Sequence, residues 1–240
     1  MRKQILAVLF LLYATTAPGQ NVGLSFSYFI PKDGYFSTPI SPFSIRGLGV
    51  DLTRNIAIET GASLYRMSGM NMKDLPIKSK EPFVGPNFTI FVPVELVLQL
   101  PAQGFQFDIK GGAFGFYGFA HKLNYGNLDR AIRKYEGWEV ANSSFSYKNN
   151  PGWGYHFGAE LTVYFASQFG VSIETNYLAG QSAFPLKGSY TGGNQSLETV
   201  VVDEAFRDGK IDFTGLEFSI GIIFDTSGGA PPRKKPKRRR

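Results

Sequence analysis

Three patterns in the chain predict an all-β fold, an eight-stranded antiparallel up-and-down transmembrane β-barrel: apolar residues recur with a period of two, connections alternate between three or four residues and about twelve to thirty-three, and one face of the strands carries large apolar side chains while the other carries Gly and Ser. The length of 240 residues suits one barrel-sized domain. A charged content of 18 % with 15 % aromatics excludes a disordered or coiled-coil chain.

The elements follow in chain order. Arg2 and Lys3, the apolar run from Ile5 to Tyr13 and the small residues Ala17-Pro18-Gly19 have the anatomy of a secretory signal peptide over residues 1–19, cut before Gln20. The apolar run is too short to span a bilayer as a helix, and no later apolar stretch is long enough either. The barrel is expected over 20–224, with strands at 22–30, 43–52, 56–66, 88–100, 105–119, 153–165, 169–178 and 211–224. Its clearest alternations are Ile90, Val92, Val94, Leu96, Leu98, Leu100 and Leu216, Phe218, Ile220, Ile222, Phe224.

Thr53–Asn55, Pro101–Gly104 and Ala166–Gln168 are the short turns. The long loops are expected around 31–42, 67–87, 120–152 and 179–210, all at the cell surface, with both termini on the opposite side. In the third loop, Asn127 is placed to cap a short helix with Leu128, Ile132 and Tyr135 on one face and Asp129, Arg130, Arg133 and Lys134 on the other. The aromatic-rich loops read either as a partner- or glycan-binding surface or as segments packed on their neighbours.

A soluble lipocalin-like barrel would show the same alternation with its apolar face inward. Aromatics such as Tyr28, Phe105, Tyr155, Phe165, Phe169, Tyr177 and Phe224 near strand ends resemble interfacial girdles, and a Gly- and Ser-rich opposite face suits a narrow lumen better than a water-exposed surface.

The net charge of +6 sits at the ends. Residues 20–224 hold 16 basic and 18 acidic side chains, whereas the last ten residues hold seven basic ones: Arg233, Lys234, Lys235, Lys237, Arg238, Arg239 and Arg240. Residues 225–240 are therefore expected to form a disordered basic tail in the periplasm. There it would face peptidoglycan carboxylates, anionic headgroups or an acidic periplasmic protein; export makes nucleic acid an unsuitable partner.

Chemistry-bearing motifs are few. The chain has no Cys, which excludes disulfides and thiolate chemistry, and two His leave little for a metal cage. No cofactor, metal site or catalytic residue is expected. The Gly-rich run 111–118 lacks the Lys-Ser/Thr of a phosphate loop.

Parity places a band of lumen residues at similar depth: Glu59, Glu95, Lys110, Glu160, Glu174 and Glu217. Asp51 and Asp108 lie below them, and His156 points to the same face. Pairing Leu100 with Phe105 sets Glu95 opposite Lys110, and pairing Phe165 with Phe169 sets Glu160 opposite Glu174. The opposed carboxylates must then share a proton, bind a cation or recruit Lys110. The band reads as a structural polar plug or as a narrow cation path. Arg46 and Arg66 share parity with the lipid-facing residues, placed to reach lipopolysaccharide phosphates or to snorkel to water.

On this topology, the chain from Asn21 to Phe224 resembles the small eight-stranded outer-membrane proteins of the OmpA/OmpX kind, in the style common among Bacteroidota. Its final strand, Gly215 to Phe224, resembles that family's C-terminal assembly signal, although sixteen residues follow Phe224. The resemblance implies an outer-membrane protein in contact with lipid and lipopolysaccharide that serves as a structural or interaction module. Two alternatives stand beside it: a subunit of a larger envelope or secretion assembly, and a barrel enzyme acting on lipid or peptide. Lipid A deacylases on similar barrels use a His-x-Ser arrangement with a Glu; here His156 is followed by Gly158, and the Ser is missing.

Overall fold

A computed structural model of the chain describes residues 21–166, 168–194 and 199–225. The predicted signal peptide and the seven tail cations from Arg233 to Arg240 lie outside the described residues.

Thirteen strands, β1 to β13, and one helix, α1, follow one another among these residues. Eight of the strands form a hydrogen-bonded antiparallel ring: β1 (Asn21–Pro31), β2 (Gly34–Thr53), β3 (Ile56–Met70), β5 (Asn87–Ala102), β6 (Phe105–Phe119), β8 (Gly152–Ala166), β9 (Phe169–Ala183) and β13 (Gly215–Asp225). β13 pairs with β9 and returns to β1, from Asn21↔Asp225 to Pro31↔Gly215, so the two ends of the ring meet at the side of the short turns.

Each strand puts alternate residues outside. Val92, Val94, Leu96 and Leu98 of β5 and Leu216, Phe218, Ile220 and Ile222 of β13 are exposed, while Phe91, Glu95, Val97, Glu217 and Ser219 are buried. Tyr155 and Phe157 of β8 are each 65 % exposed. An exposed apolar belt of this kind is costly in water and favourable in lipid, and strands paired around a ring direct their backbone hydrogen bonds to one another and not to lipid. Aromatics mark both rims: Phe165, Phe169 and Phe224 stack edge to face at the short-turn end, and Phe88 stacks on Phe119 at the other. No helix among the described residues is long and apolar enough to cross a membrane.

Several expectations need correction. The first long loop, expected at 31–42, is a two-residue connection, because β2 starts at Gly34 and pairs with the outer part of β3. The β5–β6 turn closes on Ala102↔Phe105, two residues tighter than expected. Glu95 therefore faces Gly112 and Lys110 faces Val97; a shift of two keeps every side chain on its own face.

The third correction concerns Arg46. Between Ile45↔Ala62 and Leu48↔Thr60, β2 carries one extra residue, a bulge with Gly47 at φ 72°. A side chain at Gly47 would strain this left-handed backbone, and the bulge reverses the parity upstream of it. Arg46 therefore points into the barrel, 4 % exposed, and not to lipid. Arg66 remains on the exposed face.

The fourth concerns the last predicted strand, which is two. β12 (Lys210–Asp212) pairs with β9 and with β4 (Met72–Lys73) above the ring, and β13 begins only at Gly215.

The long connections fold into a cap. β10 (Leu186–Gly193) is the middle of a three-stranded sheet between β7 (Val140–Tyr147) and β11 (Val200–Phe206). Helix α1 (Tyr125–Glu136) packs on β7 and buries Asn127, Leu128, Ala131 and Ile132. Its N-cap is Asn124, whose side chain accepts from the Asn127 amide; Asn127 lies inside the first turn and donates to the Pro82 carbonyl at 2.9 Å. Gly137 ends the helix in the left-handed conformation. Tyr135, expected on the buried face, is 56 % exposed.

The apolar core runs from this cap down into the barrel. Leu128, Ile132, Phe83, Val84, Met70, Phe184 and Leu178 join Phe29, Tyr65, Phe91 and Phe213 in one cluster.

Candidate functional site

The ring interior has two layers. Toward the cap it is filled by aromatic rings gathered around Phe213, which sits in the short link between β12 and β13. Phe213 stacks on Phe29 at 4.5 Å and on Phe116 at 4.7 Å, and lies within 6.5 Å of Tyr65, Phe91 and Phe114. It is fully buried.

Below this stack lies the predicted band. Glu59, Glu95, Asp108, Lys110, His156, Glu160, Glu174 and Glu217 all point inward, none more than 7 % exposed. Asp51, expected below them, is exposed at the rim and accepts from Gln99. Glu160 pairs directly with Glu174 across β8 and β9, as expected, although the turn closes on Ala166↔Phe169 and not on Phe165↔Phe169, with a register shift between Tyr164 and Ala166; Glu59 faces Glu95 and Asp108 faces Glu160.

Lys110 is the hub. Its Nζ lies 2.5 Å from Glu160, 3.6 Å from Glu174 and 3.7 Å from Glu59. Of the three outcomes open to the opposed carboxylates, the geometry shows recruitment of Lys110. Its expected ion pair with Glu95 is replaced by these contacts with β8, β9 and β3.

A second hub was hidden in the sequence. Arg46 reaches Glu217 at 2.5 Å and Glu174 at 3.8 Å, and Tyr65 donates its hydroxyl to Glu217. Asn176 donates to Glu174 at 3.0 Å and to Glu217 at 2.8 Å. It has room because position 158 is Gly: a Cβ there would stand 1.8 Å from the Asn176 Oδ1. Arg46, Tyr65, Asn176 and Phe213 were not singled out in the sequence as members of this interior. The Arg46-Gly47 step was the available sign of a bulge; for Phe213 no local sign exists.

Six carboxylates thus share the ring interior with two permanent cations, and four of them, Glu59, Glu160, Glu174 and Glu217, contact a cation directly. Charges withdrawn from water are tolerated when paired and hydrogen-bonded. Glu95 and His156 stand apart from both hubs, 3.9 Å from one another, with none of their side-chain polar atoms hydrogen-bonded. His156 lies in the interior beneath Phe114, at a ring separation of 6.3 Å. His121 lies at the outer end, packed on Tyr147 and Phe184. Near the short-turn end a cavity of about 20 Å3, of water size, borders Asp108, Glu160 and Thr162. Among the described residues, no group of three or more His, Asp or Glu is arranged to hold a metal ion.

No protein-family model and no curated protein matches the chain. Among solved structures, the outer membrane protein OprG from Pseudomonas aeruginosa is similar with a TM-score of 0.49 at 13 % identity, over 87 % of this chain and 96 % of that one. A major outer membrane protein from Thermus thermophilus gives 0.46 at 8 %, over 87 % and 99 %. Ail, the attachment invasion locus protein of Yersinia pestis, gives 0.37 at 9 %, over 88 % and 99 %. The membrane assignment stands on the ring, its lipid-facing belt and its aromatic rims. The chain is a β-barrel protein that crosses a membrane with its strands.

Proposed function

We propose that this barrel, of the small eight-stranded OmpA/OmpX kind found among Bacteroidota, is a structural and interaction module of the outer membrane and passes no solute. The observation that carries this reading is the filled interior: the Phe213 stack lies over the network held by Lys110 and Arg46, and the cavity that borders this network is only of water size. A sealed ring makes the surfaces the working parts. The folded cap faces outward among lipopolysaccharide, and the basic tail faces the periplasm, where peptidoglycan carboxylates or an acidic protein would match its charge.

In this reading no catalytic step is assigned to the chain. Its place as a subunit of a larger envelope or secretion assembly is the form the module takes if cap or tail holds a protein partner. The direct test is conductance in planar lipid bilayers. The module reading expects no channel activity from the purified chain at any voltage, and steady ion-selective currents would overturn it. Pull-down from solubilised outer membranes, with and without the tail, then separates a lone module from an assembly subunit.

A further inference from the structure

On the outer cap, residues 78–81 run beside α1, and between them opens a cleft of about 390 Å3. Its walls carry Lys78 and Lys80 from one side and Arg130 and Lys134 from the other, Ala131 lies in its floor, and Glu81 is its one acid. Arg130 and Lys134 are four residues apart on the helix and so share a face.

Among the described residues none of these four cations has a carboxylate partner. The neighbouring cap lysines do: Lys73 meets Asp212 at 2.7 Å and Lys210 meets Asp74 at 2.8 Å. Glu81 accepts a hydrogen bond from the Tyr35 hydroxyl and pairs with none of the four.

The backbone that presents them is held in place. Asn127 donates to the Pro82 carbonyl at 2.9 Å, the Asn124 amide to the Phe83 carbonyl at 2.9 Å, and the Glu81 amide to the Ser79 hydroxyl at 2.9 Å. Ile77 and Phe83 on one side and Leu128 and Ile132 on the other are anchored in the core. Four like charges are therefore brought together by two elements around one concavity and left unneutralised. A solvated helix face would account for Arg130 and Lys134, but not for their convergence with Lys78 and Lys80.

We propose that this cleft is a binding site for phosphate groups. Arg130 supplies a planar fork suited to a phosphate oxygen pair, and the lysines supply point charges that tolerate its orientation. The volume falls within the roughly 300–1,000 Å3 usual for small-ligand sites. The phosphates come from the lipid A headgroups of the surrounding leaflet or from soluble phosphate compounds. The inference deepens the module reading by naming the chemistry its cap recognises.

The test uses the full mature chain, refolded in detergent, with sodium tripolyphosphate titrated in a calorimeter. The wild type should bind saturably, and less tightly as salt rises. R130Q/K134Q and K78Q/K80Q should each weaken binding about tenfold or more, whereas K148Q/K187Q, on cap lysines outside the cleft, should leave it unchanged. Nanodiscs separate the sources. If discs containing bis-phosphorylated lipid A compete with tripolyphosphate and dephosphorylated lipid A discs do not, the headgroup is the ligand. Tripolyphosphate binding that is indifferent to disc composition assigns the site to soluble phosphates. No saturable binding by the wild type, or equal weakening in K148Q/K187Q, overturns the site. Either result leaves the bilayer conductance test of the sealed lumen standing on its own.

Discussion

Lys110→Met probes the interior network most directly. The substitution keeps an unbranched side chain of similar length and removes a charge that is 1 % exposed and lies within 3.7 Å of Glu160, Glu174 and Glu59. Breaking a buried pair by removing one partner costs about 3–5 kcal/mol, because the other charge stays buried and uncompensated. Here three carboxylates lose the same cation, so the upper part of that range is expected. Such a loss is a large share of the ~5–15 kcal/mol that holds a typical domain folded.

The companion variant is Lys110→Met with Glu160→Gln. It restores the original difference of four between interior acids and permanent cations, which Lys110→Met alone raises to five. The double variant should recover at least ~1.5 kcal/mol of the loss, since nearby charges couple. The assay is urea unfolding in lipid vesicles, followed by the heat-dependent gel shift of folded barrels. A single variant within ~1 kcal/mol of wild type, or a double variant no better than the single, would refute the account of Lys110 as the hub.

Phe213→Ala should cost about 3–5 kcal/mol in the same assay by leaving a void among five rings, yet produce no current in planar bilayers because the polar layer beneath stays in place. Burial against Tyr147 and Phe184 lowers the pKa of His121, in the cap beyond the Phe88–Phe119 rim, to about 4. The unfolded chain takes up that proton near pH 6.5, so the contribution of the neutral ring is present above pH 6.5 and lost as pH falls toward 4. Urea midpoints measured at pH 7.5 and pH 5 should therefore fall further for wild type than for His121→Leu, and parallel changes would show that the ring is not buried neutral. Protease added to intact cells should cut only within the cap, residues 71–86, 120–151 and 184–214, and spare the tail; clipping of the tail in sealed cells would invert the topology. A chain truncated after Phe224 should still show the heat-dependent shift, and failure to fold would place the tail within the fold.

The strands and their faces were readable because alternation is a local property. A residue in β5 or β13 faces lipid or lumen by its parity, and parity needs no knowledge of the partner strand. The opposition of Glu160 and Glu174 came out as expected although the turn closes one residue tighter, on Ala166↔Phe169, because the irregularity between Tyr164 and Ala166 takes up the difference. The band from Glu59 to Glu217 followed from the same parity.

What parity could not reveal is wherever the count changes or distant segments meet. One extra residue at Arg46-Gly47 turned an apparent lipid-facing arginine into the partner of Glu217, 171 residues away. The β5–β6 turn closed two residues tighter, which handed Lys110 from Glu95 to Glu160, because hydrogen bonding across the hairpin, and not face pattern, chooses between registers that differ by two. Phe213 fills the barrel from a link whose own sequence has no period at all, and the cap sheet joins β7 to β10 across some forty residues. Local alternation therefore decided which residues enter the barrel, while long-range pairing and packing decided which of them touch, since contact depends on register, bulges and chain reversals that a period of two leaves open.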